Sequence, residues 1–391
     1  MRVLLVIVII LGSHLVYANK DSSKVVKPGI PKHFIRPAFS WSLYATGERP
    51  AIGNRPALNN KLGEYRYLQS VWSFYTPLYT KAKFSADSSS LNTFHLLATF
   101  NSVIDRPEFL GLSEQHRLYK TGIGLRAIAG LGKNLVLFAD ATPMIFGDAY
   151  DRANTRVLRW GATFAANFLV NPGLSFRFGV TRSFLFGNKN FLPMIGMRIG
   201  KLDGLVYFNI QLPRTVSLHI QPTEKFAFTI YSRTQGGLYN FSNKDSLYLG
   251  NDDVIQFGQT GIANGIRFDF RPGPNFNFFA SGGFAVRNRI WFYSYSYNRA
   301  NDLRPLAPFY EAKPQGTIFV HVGLSWRFGK SKNAQGNYLM YEIYDMNNSN
   351  DPGDNNTMPG NGDIRRSAKA KEMHKVKLED VGDLIQETDL Y

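Results

Sequence analysis

The sequence predicts one all-β domain: a transmembrane antiparallel up-and-down β-barrel of about 14 strands, with roughly 12 to 16 allowed, followed by a disordered C-terminal tail. Three observations predict it. Apolar and polar residues alternate with period two through most of the chain, the signature of strands with one apolar face. The connections between these segments are short on one side and long on the other, the asymmetry of membrane barrels. The chain opens with a secretory leader, yet no later stretch is long and apolar enough for a spanning helix, and a closed barrel is the other structure that satisfies its backbone in lipid.

In order along the chain, Met1-Arg2, the apolar run Val3 to Leu11 and the small-residue site Val16-Tyr17-Ala18 have the layout of a signal peptide over 1–18. A short periplasmic segment is expected at 19–33 and the barrel at 34–329. Within it Leu174, Phe176, Phe178 and Val180 alternate with Ser175, Arg177, Gly179 and Thr181. Val206, Phe208 and Ile210 alternate with Tyr207, Asn209 and Gln211, and the last strand sets Ile318, Val320, Val322 and Leu324 against Thr317, His321, Gly323 and Ser325. Tight turns are expected at 132–134, 171–173, 202–204, 222–224 and 272–274, where Pro, Gly, Asn and Asp supply the backbone angles that turns need. Longer loops are expected at 46–63, 105–116, 147–155, 184–190, 236–258 and 288–315, with Ile290 to Tyr295 strand-like inside the last of these. Residues 79–91 could form a turn or an extra edge.

Beyond Gly329 the alternation stops. Residues 331–363 are rich in Asn, Asp, Gly and Ser, as in Asn347-Asn348-Ser349-Asn350-Asp351, a composition that cannot bury a core. Residues 330–391 therefore read as a flexible periplasmic tail.

Composition narrows the function classes. The chain has 45 basic and 29 acidic residues, a net charge of +16. The tail holds 8 basic against 11 acidic residues, so the positive excess belongs to the barrel. A field of one sign that strong points to anionic surroundings: lipopolysaccharide phosphates or an anionic solute, with nucleic acid set aside by the secretory leader. There is no cysteine, which excludes disulfides, thiolate metal sites and a lipidated N-terminal cysteine. The histidines show no metal-ligand spacing, and no nucleophile-elbow or phosphate-loop motif stands out. No catalytic residue, metal or cofactor is assigned.

The candidate functional residues come from one face of the strands. Lys120, Arg126, Arg159, Arg177, Arg198, Arg267 and Arg327 fall on the non-lipid face, opposite few acids, chiefly Asp140 and Asp269. A charge facing mid-bilayer lipid costs about 2–4 kcal/mol, so these side chains are expected inside. There they either pair with inward-folded loops or line a pore that prefers anions. Loop residues such as Arg299 and Arg304 are expected to meet lipopolysaccharide. The abundant aromatics, 20 Tyr, 31 Phe and 5 Trp, include many near strand ends, where interface girdles are expected.

Two resemblances add to this. His321-x-Gly323-x-x-Trp326-x-Phe328 resembles the β-signal on the last strand of outer-membrane barrels, polar-x-Gly-x-x-aromatic-x-aromatic, which implies the barrel-assembly machinery as a partner. It departs from that pattern in being followed by a tail. The motifs Phe191-Leu192-Pro193-Met194-Ile195-Gly196, Gln211-Leu212-Pro213-Arg214 and Gly236-Gly237-Leu238-Tyr239 resemble an uncharacterised outer-membrane β-barrel family of Bacteroidota. That resemblance implies fold and location, and it supplies no functional residues. Two functions stay open at this point: a passive pore for small anions or polar solutes, and a non-enzymatic anchor or scaffold whose tail recruits a periplasmic partner.

Overall fold

The computed structural model describes residues 37–328, apart from 85–90, 113–114, 132–133, 172, 185, 187–189, 202–204, 224, 245–246, 248–252, 274 and 295–307. The expected signal peptide, the tail, and Arg299 and Arg304 lie outside the described residues. The strands are β1 (Ala38–Thr46), β2 (Arg49–Pro50), β3 (Glu64–Phe84), β4 (Leu91–Phe109), β5 (Leu118–Leu131) and β6 (Leu135–Asp148). Then come β7 (Val157–Asn171), β8 (Leu174–Ser183), β9 (Asn190–Ile199), β10 (Val206–Leu212) and β11 (Thr215–Ile220). The last are β12 (Phe226–Ser242), β13 (Val254–Gly273), β14 (Phe276–Ser294), β15 (Tyr310–Ala312) and β16 (Thr317–Arg327). Two short helices, Pro56–Leu62 and Arg152–Thr155, sit in loops.

Fourteen of these strands close into one antiparallel barrel. The short β2 and β15 are additions that pair with β3 and β14. Closure is made by β1, which pairs with β16 on one edge and β3 on the other, so no strand edge is left to lipid between first and last.

The alternation works in the sense opposite to a soluble protein. On β5, Lys120 and Arg126 are buried while Ile123 and Leu125 are 68% and 54% exposed. Phe164, Phe178, Ile195, Ile266 and Phe268 face outward in the same way on their strands. An apolar exterior over a closed sheet with polar residues inside is the arrangement of a bacterial outer-membrane barrel, and this chain is one. Trp326 stacks on Phe276 at 5.6 Å near the turn-side strand ends, as interfacial aromatics do.

The wall is uneven. β3, β4, β13 and β14 have 21, 19, 20 and 19 residues, whereas β10 and β11 have 7 and 6. A tilted strand crossing the hydrocarbon layer needs about 9–11 residues, so β10 and β11 make a low section. Pro213 and Arg214 alone join them on the loop side, an exception to the expected asymmetry of connections. The segment 236–258, expected to be a loop, is instead mostly strand: β12 runs to Ser242 and β13 starts at Val254. Likewise β4 runs to Phe109, and β14 runs to Ser294, taking up the strand-like Ile290-Trp291-Phe292.

Because β11 is short, β12 outgrows it. β11 pairs with β12 only from Ile220 to Thr215, the latter opposite Arg233. From Gln235 to Ser242, β12 pairs with β13 alone. Residues 236–242 of β12 and 254–259 of β13 are buried on both faces. This half of the hairpin turns inward as a tongue and packs across the barrel on β5 and β6.

Candidate functional site: the filled lumen

The interior divides into two layers of different chemistry. At the loop side the tongue brings Tyr239, Phe241 and Phe257 onto Phe109, Phe146, Phe292 and Tyr65, all buried in one apolar cluster. Ring centroids lie 5.2 Å apart for Phe257 and Phe292 and 5.3 Å for Phe241 and Phe292, distances at which aromatic pairs attract beyond their buried area.

The free edge of the tongue leaves backbone groups that need partners. The facing wall supplies them. Arg159 on β7 donates from Nη1 to the Leu238 carbonyl and from Nη2 to Asn240 Oδ1, both at 2.7 Å. Asn240 Nδ2 donates to the Thr155 carbonyl at 2.9 Å, and the Ser242 amide to Asp148 Oδ2 at 3.3 Å. Asp148 also pairs with His116 Nδ1, whose ring stacks on Phe241 at 3.7 Å. Three elements of the opposite wall, β6, the Arg152–Thr155 helix and β7, thus latch one strand edge.

Toward the turn side the filling is cationic. Arg267 holds Asp269 through two parallel bonds, Nε to Oδ2 at 2.9 Å and Nη2 to Oδ1 at 2.6 Å, and lies 4.0 Å over the Phe279 ring. Asn277 Nδ2 donates a third bond to Asp269 at 3.0 Å. Arg126 pairs with Asp140 at 3.1 Å and lies over Phe138 at 5.4 Å. His219 is bonded by the Ser217 and Thr229 hydroxyls, each at 2.9 Å, and stacks on Tyr207. Both ring nitrogens are therefore occupied by hydroxyls.

Of the seven basic residues singled out from sequence, Lys120, Arg126, Arg159, Arg177, Arg198 and Arg267 are buried inside the barrel. Arg327, at the end of β16, is half-buried and its backbone amide donates to the Asn275 carbonyl at 2.8 Å. Arg126 on β5 and Arg159 on β7 serve different layers. Lys120 faces the network in which Tyr67 and Gln69 donate to Asp105 Oδ1 at 2.5 and 2.7 Å.

Sequence reasoning left out four more buried cations, Arg49, Arg214, Arg233 and Arg271, and three buried acids, Asp105, Asp148 and Asp151. Arg233 already falls on the polar side of the β12 alternation, opposite Phe226, Phe228 and Ile230, and Arg271 was findable by carrying the alternation of β13 two residues past Asp269. Arg49, Arg214 and the three acids sit where the chain reads as loop or turn.

Of the β-signal positions, His321 and Gly323 point inward and Trp326 outward. His321 packs edge-on against Tyr44 and Phe279 at 5.7 and 5.1 Å. A Cβ on Gly323 would stand 2.5 Å from both the Phe279 ring and the Trp41 carbonyl. Only glycine fits where β16 meets β1 and β14. Phe328 lies beside Trp326, ring centroids 4.2 Å apart.

No family model matches the chain, and no curated protein matches it. Among solved structures, the translocator domain of the autotransporter NalP from Neisseria meningitidis shares 10% identity over 75% of this chain and 89% of its own, with a TM-score of 0.28. The toluene transporter TodX of P. putida shares 9% over 75% and 91%, at 0.24. An outer membrane channel from Pseudomonas putida F1 shares 9% over 79% and 100%, at 0.29. Likenesses this distant say nothing about what passes through or binds to this barrel, and its function has to be read from its own residues.

Proposed function

We propose that this barrel is a passive passage for small anions and polar solutes, shut at the loop side by its own tongue. One observation carries the reading. Ten Lys and Arg side chains are buried in the described structure (the six named above with Arg49, Arg214, Arg233 and Arg271), against five Asp and no Glu. Buried charge is strongly unfavourable unless compensated, and a barrel serving only as an anchor would be more stable with an apolar filling. An interior with a surplus of guanidinium groups has a use if anions enter it.

The closure has the character of a gate rather than a wall. The tongue belongs to strands that are continuous with the barrel, and its free edge is held by side chains instead of a neighbouring strand. Releasing that edge joins the cationic layer to the loop-side mouth. The machinery that reads the β-signal at His321, Gly323, Trp326 and Phe328, and lipopolysaccharide around the rim, complete the set of partners in this reading.

The test is ion selectivity in a planar bilayer under a KCl gradient. Replacing Arg177 and Arg198 together by Glu is expected to weaken or reverse a chloride preference. Selectivity unchanged by that double substitution overturns the reading.

A further inference from the structure

At the loop side, beside the aromatic layer, β1, β3, β12, β13 and β14 surround a cavity of about 30 Å3, room for one small polar group. Its polar lining includes Tyr44, Arg49, Tyr65, Gln235, Gln259 and Arg289, with Thr46, Tyr67, Gln69, Thr260 and Asn288, and among the described residues no Asp or Glu lines it. Tyr44 and Arg49 are only 2% and 6% exposed. Arg49 lies 5.3 Å over the Tyr65 ring and reaches the Gln315 carbonyl with Nη1 at 3.4 Å, a long bond.

Two Arg side chains line this cavity, and among the described residues no carboxylate does. Arg49 Nε is buried without a hydrogen-bond partner, while the Tyr44 hydroxyl and the Gln235 amide lie beside each other. Tyr65 donates to Gln259 Oε1 at 2.7 Å. That bond turns the Gln259 amide oxygen toward Tyr65, and its NH2 carries two further donors. Water could satisfy a hydroxyl or an amide, but it would leave the buried Arg49 charge uncompensated. An acceptor that satisfies these donors and cancels the charge is an oxyanion, which a guanidinium binds through charge-assisted bonds.

We propose that this cavity binds the carboxylate or phosphate group of a small solute arriving from the loop-side mouth. It deepens the passage reading by adding a capture point, and rests on that reading for the direction of arrival. Binding itself requires no conduction. Tyr44, Tyr65 and Gln259 are buried at inward-facing positions of the wall, so the ligand comes from the aqueous mouth rather than from the lipid outside.

The experiment is calorimetric titration of the full chain, refolded in detergent micelles, with sodium phosphate, sodium acetate and glucose at constant ionic strength. Phosphate or acetate is expected to bind saturably, and glucose is not. Arg49→Gln is expected to weaken binding at least about tenfold, the scale of a lost charge-assisted bond. Tyr44→Phe, which keeps the ring and removes one donor, is expected to weaken it a few-fold and covers the case in which Arg49→Gln does not fold. Lys201→Gln removes one positive charge on the turn side and should change nothing.

Absence of saturable binding by folded wild-type protein overturns the proposal, as does an affinity untouched by Arg49→Gln or, where that variant does not fold, by Tyr44→Phe. Displacement of phosphate by added lipopolysaccharide would assign the site to a lipid headgroup and overturn the free-solute assignment. A barrel that binds phosphate yet never conducts would refute the passage reading while leaving this site standing.

Discussion

The loop-side half of the lumen and the turn-side half are both filled, but by opposite means. At the loop side the tongue brings Tyr239, Phe241 and Phe257 onto the walls as a packed aromatic layer, and only its strand edge needs polar latches. Nearer the turn side, Arg126, Arg177, Arg198, Arg267 and Arg271 share the space with Asp140 and Asp269. The first half is built like the core of a soluble protein, stabilised by burial and dispersion. The second depends on pairing, so its stability hangs on a few carboxylates. One barrel interior can thus combine an apolar packed layer at one level with a charged, paired layer at another.

The comparison can be broken most directly by removing one member from each layer. Phe257→Ala should cost about 3–5 kcal/mol, the usual range for deleting a buried aromatic ring. Asp269→Ala should cost a similar amount, about 3–5 kcal/mol, because it strands the Arg267 guanidinium. The two are told apart by rescue. Replacing Arg267 and Asp269 together by Met and Leu should recover most of the loss, whereas no second substitution refills the ring cavity. Urea unfolding of the micelle-refolded barrel reads all three; a double variant as unstable as Asp269→Ala would mean that the turn-side half is held by packing after all.

Gly323→Val comes next. Its added atoms collide with backbone at the seam that closes the barrel, and overpacking of this kind costs about 1–3 kcal/mol. Refolding yield, followed by the shift of the folded band on an unheated gel, should fall. An unchanged yield would remove closure geometry as the reason for that glycine.

A stability effect of the same order is expected at the latch. Arg159→Ala deletes two bonds to the tongue edge and leaves the Leu238 carbonyl without its donor, worth about 1–3 kcal/mol. Its larger consequence should be local: faster hydrogen exchange in 236–242 than in the turn-side parts of β12 and β13. Exchange rising uniformly through the barrel would mean that the tongue is not a separate unit.

The outward face was legible in sequence because lipid demands it at every second residue: Ile123 and Leu125 against Lys120 and Arg126 need no knowledge of what lies across the barrel. The same rule placed the candidate cations inside. The tongue was not legible for a related reason. A strand buried on both faces has no alternation to show, so Gly236 to Ser242 and Val254 to Gly258 read as loop. The partners of the arginines were hidden by distance along the chain, since Arg159 on β7 meets Leu238 on β12 only once the sheet has curled into a barrel. Arg49 was missed because a polar loop gives no sign that one of its residues turns inward.

The most direct test of a cationic lumen behind a closing tongue is the reversal potential of single channels formed by Arg159→Ala under a KCl gradient, beside wild type. Latch release should raise the open probability above that of wild type, with a reversal potential displaced toward chloride. A released barrel that stays silent, or one whose reversal potential favours potassium, would contradict the account.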